Sequence, residues 1–398
     1  MIEPPKSATP ASMKPEQVRY LVFEGGGGKG FAYLGALQAL EDPGIGILKY
    51  SEHPDTKLPI LTPGGRIEGI GGASAGAITA LLLSCGYSSS DIKKFMELTN
   101  FDLFFDRAAP RTIPGPFDGR MENPGRVRAL RCERRPETEA GRLLQVIQAI
   151  GGDGLNLITR GLKSVLKPPV STLIKEWPRY LMYLGEDMGL FSGCFARAVF
   201  ADALASRLPK GPSGEAQYNA TFRDHWNHFR IRLGVTGTNL ESGKSQLFSV
   251  DETPNFPVAD AIRISMSIPV AYKPYIIRKG SYKGVWVDGG LLNNVPFYEF
   301  ESRPGENPKT LALRLEIEKN VEIQDFVDLS VRWFMTGFLG TGEAHISESL
   351  ISQTILLDTE GLGLLDFKPD PSKRDEAINR ARSKTYDYFR AQFGKSGG

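Results

Sequence analysis

Twice before residue 90 the chain repeats one pattern: a short apolar run, a knot of glycines and small residues, then an apolar stretch of helix length. Val18 to Glu24 (VRYLVFE) is β-branched and aromatic and stops at the glycines Gly25 to Gly28, which reads as a buried strand ending in a turn. Phe31 to Leu40 (FAYLGALQAL) follows with apolar residues on every side, the mark of a buried helix. Arg66 to Gly72 (RIEGIGG) is again strand-like and leads into Ala75 to Leu83 (AGAITALLL), again helical and apolar. Successive strand, turn, helix units join parallel strands by crossovers, so the pattern predicts an α/β fold around a parallel sheet. Further strands are expected at Arg230 to Gly237, Gln246 to Val250, Gly284 to Val287 and Thr310 to Glu316.

With 398 residues, 41% of them hydrophobic and 24% charged, the chain can bury a large core without disulfide support. A net charge of +2 leaves no footprint for nucleic acid, which is not expected as a partner. Cys85, Cys132 and Cys194 are odd in number and widely spaced, which fits neither a disulfide framework nor a zinc pattern and points to a reducing compartment. Residues 1–17 read as a flexible tail, not a signal peptide, residues 18–392 as a single domain, and 393–398 as a second tail. Gly69 to Ser90 is uncharged for 22 residues, a length that would flag a membrane span. Its many glycines and serines leave too little continuous apolar surface, and strand, turn and helix explain it better. A soluble, cytoplasmic protein acting peripherally on membranes is expected.

Residues 101–230 have a different character and read as a variable insertion. Between Arg107 and Arg135 eight arginines face three acids, a net charge of about +5, in a proline-rich setting. Such a stretch is either a solvated irregular surface or a patch for phosphate head groups or a small anionic activator. Phe101, Leu103, Phe104 and Phe105 just before it read as core in preference to a membrane-facing wedge. Near the end, Ser372 with Asp375 is expected to form a capping box, and Ile378, Ala381, Thr385 and Tyr388 fall on one helical face that would dock on the core.

The glycine cluster supports three chemical readings. Gly25-Gly26-Gly27-Gly28-Lys29-Gly30 satisfies the dinucleotide pattern G-x-G-x-x-G, but the acidic residue that pattern expects about 20 residues on is replaced by the loop Asp42-Pro43-Gly44. A Walker loop fails because glycine follows Lys29 and Phe23 stands where the first glycine is required. The third reading is an oxyanion hole, in which successive glycines turn their N–H groups into one concavity at a helix N-terminus.

Gly72-Ala73-Ser74-Ala75-Gly76 fits G-x-S-x-G between an expected strand and an expected helix, the context of a serine nucleophile on a strained turn. Such a serine needs a base. The four histidines, His53, His225, His228 and His345, lie in polar or proline-bearing segments, none at a glycine turn ending a strand. His225 and His228 at i, i+3 lack a third ligand of recognisable pattern, so no metal is expected. The better base is Asp288, which ends the strand GVWV and opens Asp288-Gly289-Gly290.

These motifs together resemble the patatin-like phospholipases of the bacterial type. G-G-G-x-K-G at Gly25 to Gly30, G-x-S-x-G at Gly72 to Gly76 and D-G-G at Asp288 to Gly290 occur in the family's order. Arg263-Ile-Ser265-Met-Ser267-Ile-Pro269 and Asn294-Val-Pro296 look like family features as well, and the agreement runs from about Val18 to Glu318. The resemblance implies a three-layer α/β/α fold with a mostly parallel central sheet and a helical cap insertion. It implies a Ser74-Asp288 dyad, an oxyanion hole at Gly26, Gly27 and Gly28, and motif support from Gly25, Lys29, Gly30, Gly72, Gly76, Gly289 and Gly290. The implied activity is carboxylic ester hydrolysis of the phospholipase A or lysophospholipase type, on glycerophospholipid at a membrane surface, with no cofactor and no calcium. A delivered bacterial effector, a ligand-activated antiviral membrane degrader and a housekeeping lipase are all roles open to such an enzyme. The alternatives are acyl transfer of the malonyl-carrier-protein type, which would place a histidine where Ala73 stands, and a catalytically silent scaffold that binds lipid or protein.

Overall fold

The computed structural model describes residues 12–104, 188–300, 309–316, 336, 348–363 and 367–393. In chain order its elements begin with β1 (Tyr20–Phe23), α1 (Tyr33–Glu41), β2 (Tyr50–Glu52), β3 (Pro59–Leu61), β4 (Gly69–Gly72), α2 (Ala75–Ser84) and α3 (Ser89–Leu98). After residue 188 come β5 (Gly189–Phe191), α4 (Cys194–Ala205), α5 (Phe222–Phe229), β6 (Arg232–Asn239), β7 (Lys244–Phe248) and α6 (Val258–Ser265). The chain then runs through β8 (Val270–Tyr272), β9 (Tyr275–Ile277), β10 (Gly284–Asp288), β11 (Thr310–Leu315), α7 (Glu348–Ile351), β12 (Thr354–Leu357) and α8 (Pro371–Phe393).

The main sheet has the order β12-β11-β1-β4-β6-β10-β9, with β7 also paired to β6. From β12 to β6 every pairing is parallel, and beyond β6 every pairing is antiparallel. The central strands are covered on both faces, which is why β1 is a continuous apolar run: Leu21, Val22 and Phe23 are all fully buried. The apolar stretches after β1 and β4 do become helices, so the α/β class and the parallel start of the sheet follow the sequence pattern.

α1 is buried all round because α8 packs over it. At Gly35 an added Cβ would lie 1.9 Å from the Ile378 carbonyl oxygen, so only glycine allows the two helices to approach this closely. α8 turns Ala377, Ile378, Ala381 and Phe389 inward with the buried Thr385, on the face the periodicity indicates. Its cap differs from expectation. Asp370, not Ser372, closes the N-terminus: the N–H groups of Ser372 and Lys373 donate to Asp370 Oδ1 at 2.9 and 3.3 Å. Pro371 suits the first helical position because its missing N–H would have no partner there, and that moves the cap one residue earlier than Pro371 and two before Ser372.

Two expectations of domain limits meet packed structure. Met13, assigned to the flexible tail, is buried, and its N–H donates to Tyr388 Oη at 3.0 Å and to the Ser352 carbonyl at 3.3 Å. Residues 188–230, assigned to the variable insertion, supply β5, which pairs with β8, and α4, whose Phe200 is fully buried in the core. The arginine-rich stretch from Arg107 to Arg135, Phe105, Cys132, His345 and residues 394–398 lie outside the described residues.

Candidate active site

β4 stops at Gly72 because the chain must reverse into α2 within two residues. Ser74 makes that reversal at φ 50°, ψ −121°, a backbone conformation that costs a non-glycine residue on the order of 1–3 kcal/mol. Close packing enforces it. A Cβ on Gly76 would sit 2.2 Å from the Phe23 carbonyl oxygen, so the first turn of α2 lies directly on the end of β1. The Ser74 N–H donates to Ser265 Oγ at 2.9 Å, and the Ser74 carbonyl accepts from Ile78 N–H at 3.1 Å. Ser74 thus projects from a strained turn at a helix N-terminus and keeps 4% of its surface exposed.

The sheet register brings Asp288 to this point. Val235 of β6 pairs with Gly72 on one side and Phe248 of β7 on the other. Gly237 pairs with Gln246 of β7 and with Asp288 of β10. β4 and β10 therefore share the side of β6 opposite β7. Since β4 runs parallel to β6 and β10 antiparallel, they point at each other and their C-terminal ends meet. Residues 214 apart in sequence, Ser74 and Asp288, become neighbours in this way.

Asp288 is completely buried. Its N–H donates to the Ser267 carbonyl at 3.0 Å, and its Oδ1 accepts the Gly290 N–H at 2.8 Å. Burial pushes the carboxyl up to about 7, against the lowering influence of the Gly290 N–H and the Ser74 hydroxyl. The Ser74 hydroxyl is thus near enough to favour the carboxylate, while Oδ2 makes no hydrogen bond of standard geometry among the described residues. A carboxyl poised near neutrality beside a hydroxyl can exchange a proton with it, and no histidine touches either group among the described residues.

The glycine loop packs on the same spot. A Cβ on Gly25 would lie 3.1 Å from Ser74 Cβ and 2.4 Å from Asn294 Oδ1. The loop then enters a short 3₁₀ helix, Gly27–Ala32, with Gly27 at φ 52°. Its ladder begins with the Lys29 N–H to the Gly26 carbonyl at 3.1 Å, so the Gly27 and Gly28 amides precede it at a helix N-terminus. Asn294 pins the entry: the Gly25 N–H donates to Asn294 Oδ1 at 3.1 Å, and Asn294 Nδ2 donates to the Gly25 carbonyl at 3.3 Å and to Glu24 Oε1 at 3.4 Å. Buried Glu24 also pairs with Arg314 Nη2 at 3.2 Å and accepts the Leu315 N–H at 2.8 Å. Lys29 Nζ donates to the Glu316 carbonyl at 3.2 Å, away from reaction chemistry and in support of the loop.

Ser74 opens onto an apolar pocket. One wall is the face of α2 formed by Ala75, Ile78, Thr79 and Leu82, the i, i+3, i+4, i+7 stripe of a helix. At ~1.5 Å per residue, the eight steps from Ser74 to Leu82 span about 12 Å. Phe95, Met96, Phe101, Phe104, Phe200 and Phe367 close the other sides. Phe101 and Phe104 are thus both core and pocket lining, with ring centroids 5.0 Å apart.

A family model for patatin-like phospholipase matches residues 21–300, more than half of the chain, and it encloses the glycine loop, the elbow and the aspartate. The chain belongs to the patatin-like phospholipase family. A lipid substrate and hydrolase chemistry follow from that membership at the level of the family. Curated relatives are distant. The chain is 21% identical over 383 residues to an uncharacterized protein of Acanthamoeba polyphaga mimivirus, covering 93% of both chains. It is 22% identical over 373 residues to the uncharacterized protein YqhO of Bacillus subtilis, covering 92% of this chain and 95% of that one. A shorter match, 23% identical over 122 residues, 31% of this chain and 37% of the other, is to a probable lipid hydrolase of invertebrate iridescent virus 6. Among solved structures, VipD from Legionella pneumophila matches with a TM-score of 0.48 at 20% identity, over 94% of this chain and 67% of that one. ExoU in its complex with SpcU from Pseudomonas aeruginosa matches with a TM-score of 0.42 at 21% identity, over 95% of this chain and about half (52%) of that chain.

The remaining sequence candidates take structural places in this patatin-like chain. His225 is buried, and its Nε2 shares a hydrogen bond with Ser84 Oγ at 2.9 Å at the far end of α2. His53 and His228 stack with ring centroids 4.0 Å apart. Among the described residues no cluster of three His, Cys, Asp or Glu could hold a metal, and no helix is long and apolar enough to cross a membrane. Sequence reasoning missed the buried Glu24–Arg314 pair. Its signal was there: a charged residue at the end of an otherwise apolar strand needs a buried partner.

Proposed function

We propose that this patatin-like protein is a serine lipid acyl hydrolase of the phospholipase A or lysophospholipase type, working through a Ser74-Asp288 dyad. What supports the reading is the convergence of a strained, buried Ser74 and a buried Asp288 where β4 and β10 meet, at the end of an apolar pocket. In the proposed cycle the fatty-acyl chain of a glycerophospholipid enters the pocket between α2 and the phenylalanines, and its ester carbonyl lies over Ser74 Oγ. Asp288 accepts the hydroxyl proton as Oγ bonds to the carbonyl carbon. The oxyanion is held by N–H groups of Gly26, Gly27 and Gly28, each such donor being worth about 3–4 kcal/mol in related chemistry. Collapse breaks the ester C–O bond, and the proton on Asp288 passes to the leaving lysolipid alcohol. Water then attacks the acyl-enzyme with Asp288 again as base, releasing fatty acid and restoring Ser74. The site requires no metal for these steps.

Purified protein assayed on a short-chain p-nitrophenyl ester and on phosphatidylcholine vesicles tests this. Ser74→Ala and Asp288→Asn should each remove all but a few per cent of both activities while the fold survives. Retained activity in the serine variant would end the reading and direct attention to another nucleophile.

A further inference from the structure

The last turn of α6 and the three residues after it face alternately in two directions. Ser265 and Ser267 reach the dyad: Ser265 Oγ accepts the Ser74 N–H at 2.9 Å, and the Ser267 carbonyl accepts the Asp288 N–H at 3.0 Å. Met266 and Ile268, between and after them, line the apolar pocket. Both serines are fully buried, and the segment is held from behind by Arg263, which is 2% exposed. Arg263 Nε donates to the Ser192 carbonyl at 3.0 Å, Nη2 to the Lys273 carbonyl at 2.8 Å, and Nη1 to Ser267 Oγ. Ser267 Oγ in turn donates to the Arg263 carbonyl at 2.7 Å.

We infer that Ser265–Ser267, stiffened by Arg263, is a brace that sets the spacing of nucleophile and base, and that Ser265 is a positioning residue for Ser74. Two features of the site make a brace necessary. Ser74 follows β4 and Asp288 ends β10, two strands that meet only end to end, so no direct β-pairing between β4 and β10 fixes their separation. The Ser74 backbone is also in a strained conformation, and a buried acceptor for its N–H is what that conformation offers in return. One short segment bonded to both backbones fixes the distance between them, and its rigidity comes from a guanidinium that ties it to Ser192, just after β5, and to the strand-to-strand link after β8. Ser265 touches no reacting atom; it acts through Ser74.

The inference rests on the dyad reading for its kinetic consequences, and its test has an arm independent of catalysis. Ser265→Ala removes the acceptor, whereas Ser265→Cys keeps nearly the same volume and offers only a weak acceptor. Both should slow kcat on a soluble short-chain ester by about tenfold, the scale of one lost buried hydrogen bond, with KM unchanged. Both should speed hydrogen exchange at the Ser74 amide, and Ser265→Cys should melt no more than a few degrees below wild type and remain fully folded at the assay temperature. Wild-type kcat and wild-type Ser74 protection in the cysteine variant would overturn the brace, as would a fall in melting temperature that accounts for the loss of rate in both. If the wild-type protein turns over no ester, the functional reading falls, and exchange at Ser74 still decides the brace.

Discussion

Ser74 follows the end of β4 and Asp288 closes β10, and the two strands meet head to head along one side of β6. Ser74 and Asp288 are therefore joined through the sheet and not through a neighbouring loop. Changes at either residue have separable consequences for rate, for stability and for their dependence on pH.

Activity should depend on Asp288 being ionised. Burial raises its carboxyl to about 7, so kcat/KM on a soluble ester should climb as pH rises through that value and level off above it. A profile already flat from pH 5 upward would mean that the base titrates elsewhere.

The same group should make stability fall with pH. A carboxyl at about 7 in the folded protein and ordinarily near 3.8 holds more protons folded than unfolded between those values. Its contribution is present below pH 3.8 and lost as pH rises through 7. Asp288→Asn, which needs no proton to stay neutral, should melt several degrees higher than wild type at pH 8, and the gap should close in acid. Calorimetry across that range checks it, and an equal or lower melting point at pH 8 would contradict the burial argument.

His225 should govern acid stability instead of catalysis. Burial, aided by neighbouring His228, lowers its pKa to about 3, so the folded state keeps it neutral. Its stabilising contribution is present above the ordinary histidine value of 6.5 and is lost as pH falls toward 3, at no more than about 1.4 kcal/mol per pH unit. His225→Asn should keep substantial esterase activity at pH 8 and show a shallower acid transition. Complete loss of activity in a folded His225 variant would revive a serine–histidine mechanism.

Pocket depth should set chain-length preference. Ile78 lines the pocket one turn of α2 beyond Ser74. Ile78→Trp should reduce turnover of a palmitate ester by about tenfold or more while a butyrate ester is cleaved near the wild-type rate, since bulk there obstructs the chain beyond the reacting carbonyl. Equal losses on both esters would place the acyl chain somewhere else.

Asn294 should matter through the glycine loop. Asn294→Ala removes the side-chain acceptor of the Gly25 N–H and the amide that bridges Gly25 to Glu24. The Gly25 N–H keeps the Asn294 carbonyl at 3.2 Å, so the fold should persist while kcat falls by about tenfold with little change in KM. A loss confined to KM would mean the loop shapes the pocket and not the oxyanion site.

Local chemistry made the motifs of the candidate site legible in the sequence. Glycines where the chain must turn sharply or pack tightly, a serine between strand and helix, and an aspartate at a strand end each reflect constraints acting over a few residues. The parallel half of the sheet was equally visible, because strands buried on both faces must be apolar throughout. What only the tertiary structure decided are relationships between distant segments. Sequence does not say that β10 runs antiparallel on the same side of β6 as β4, yet that register is what brings Asp288 to Ser74. Nor does it say that Ser265 and Ser267 bond to the backbones of Ser74 and Asp288 while Met266 and Ile268 turn to the pocket, or that phenylalanines from positions 31 to 367 converge on one cavity. The cap at Asp370 and the buried Met13 were misread for the same reason: local propensity offers several acceptable partners, and packing against the rest of the chain selects one.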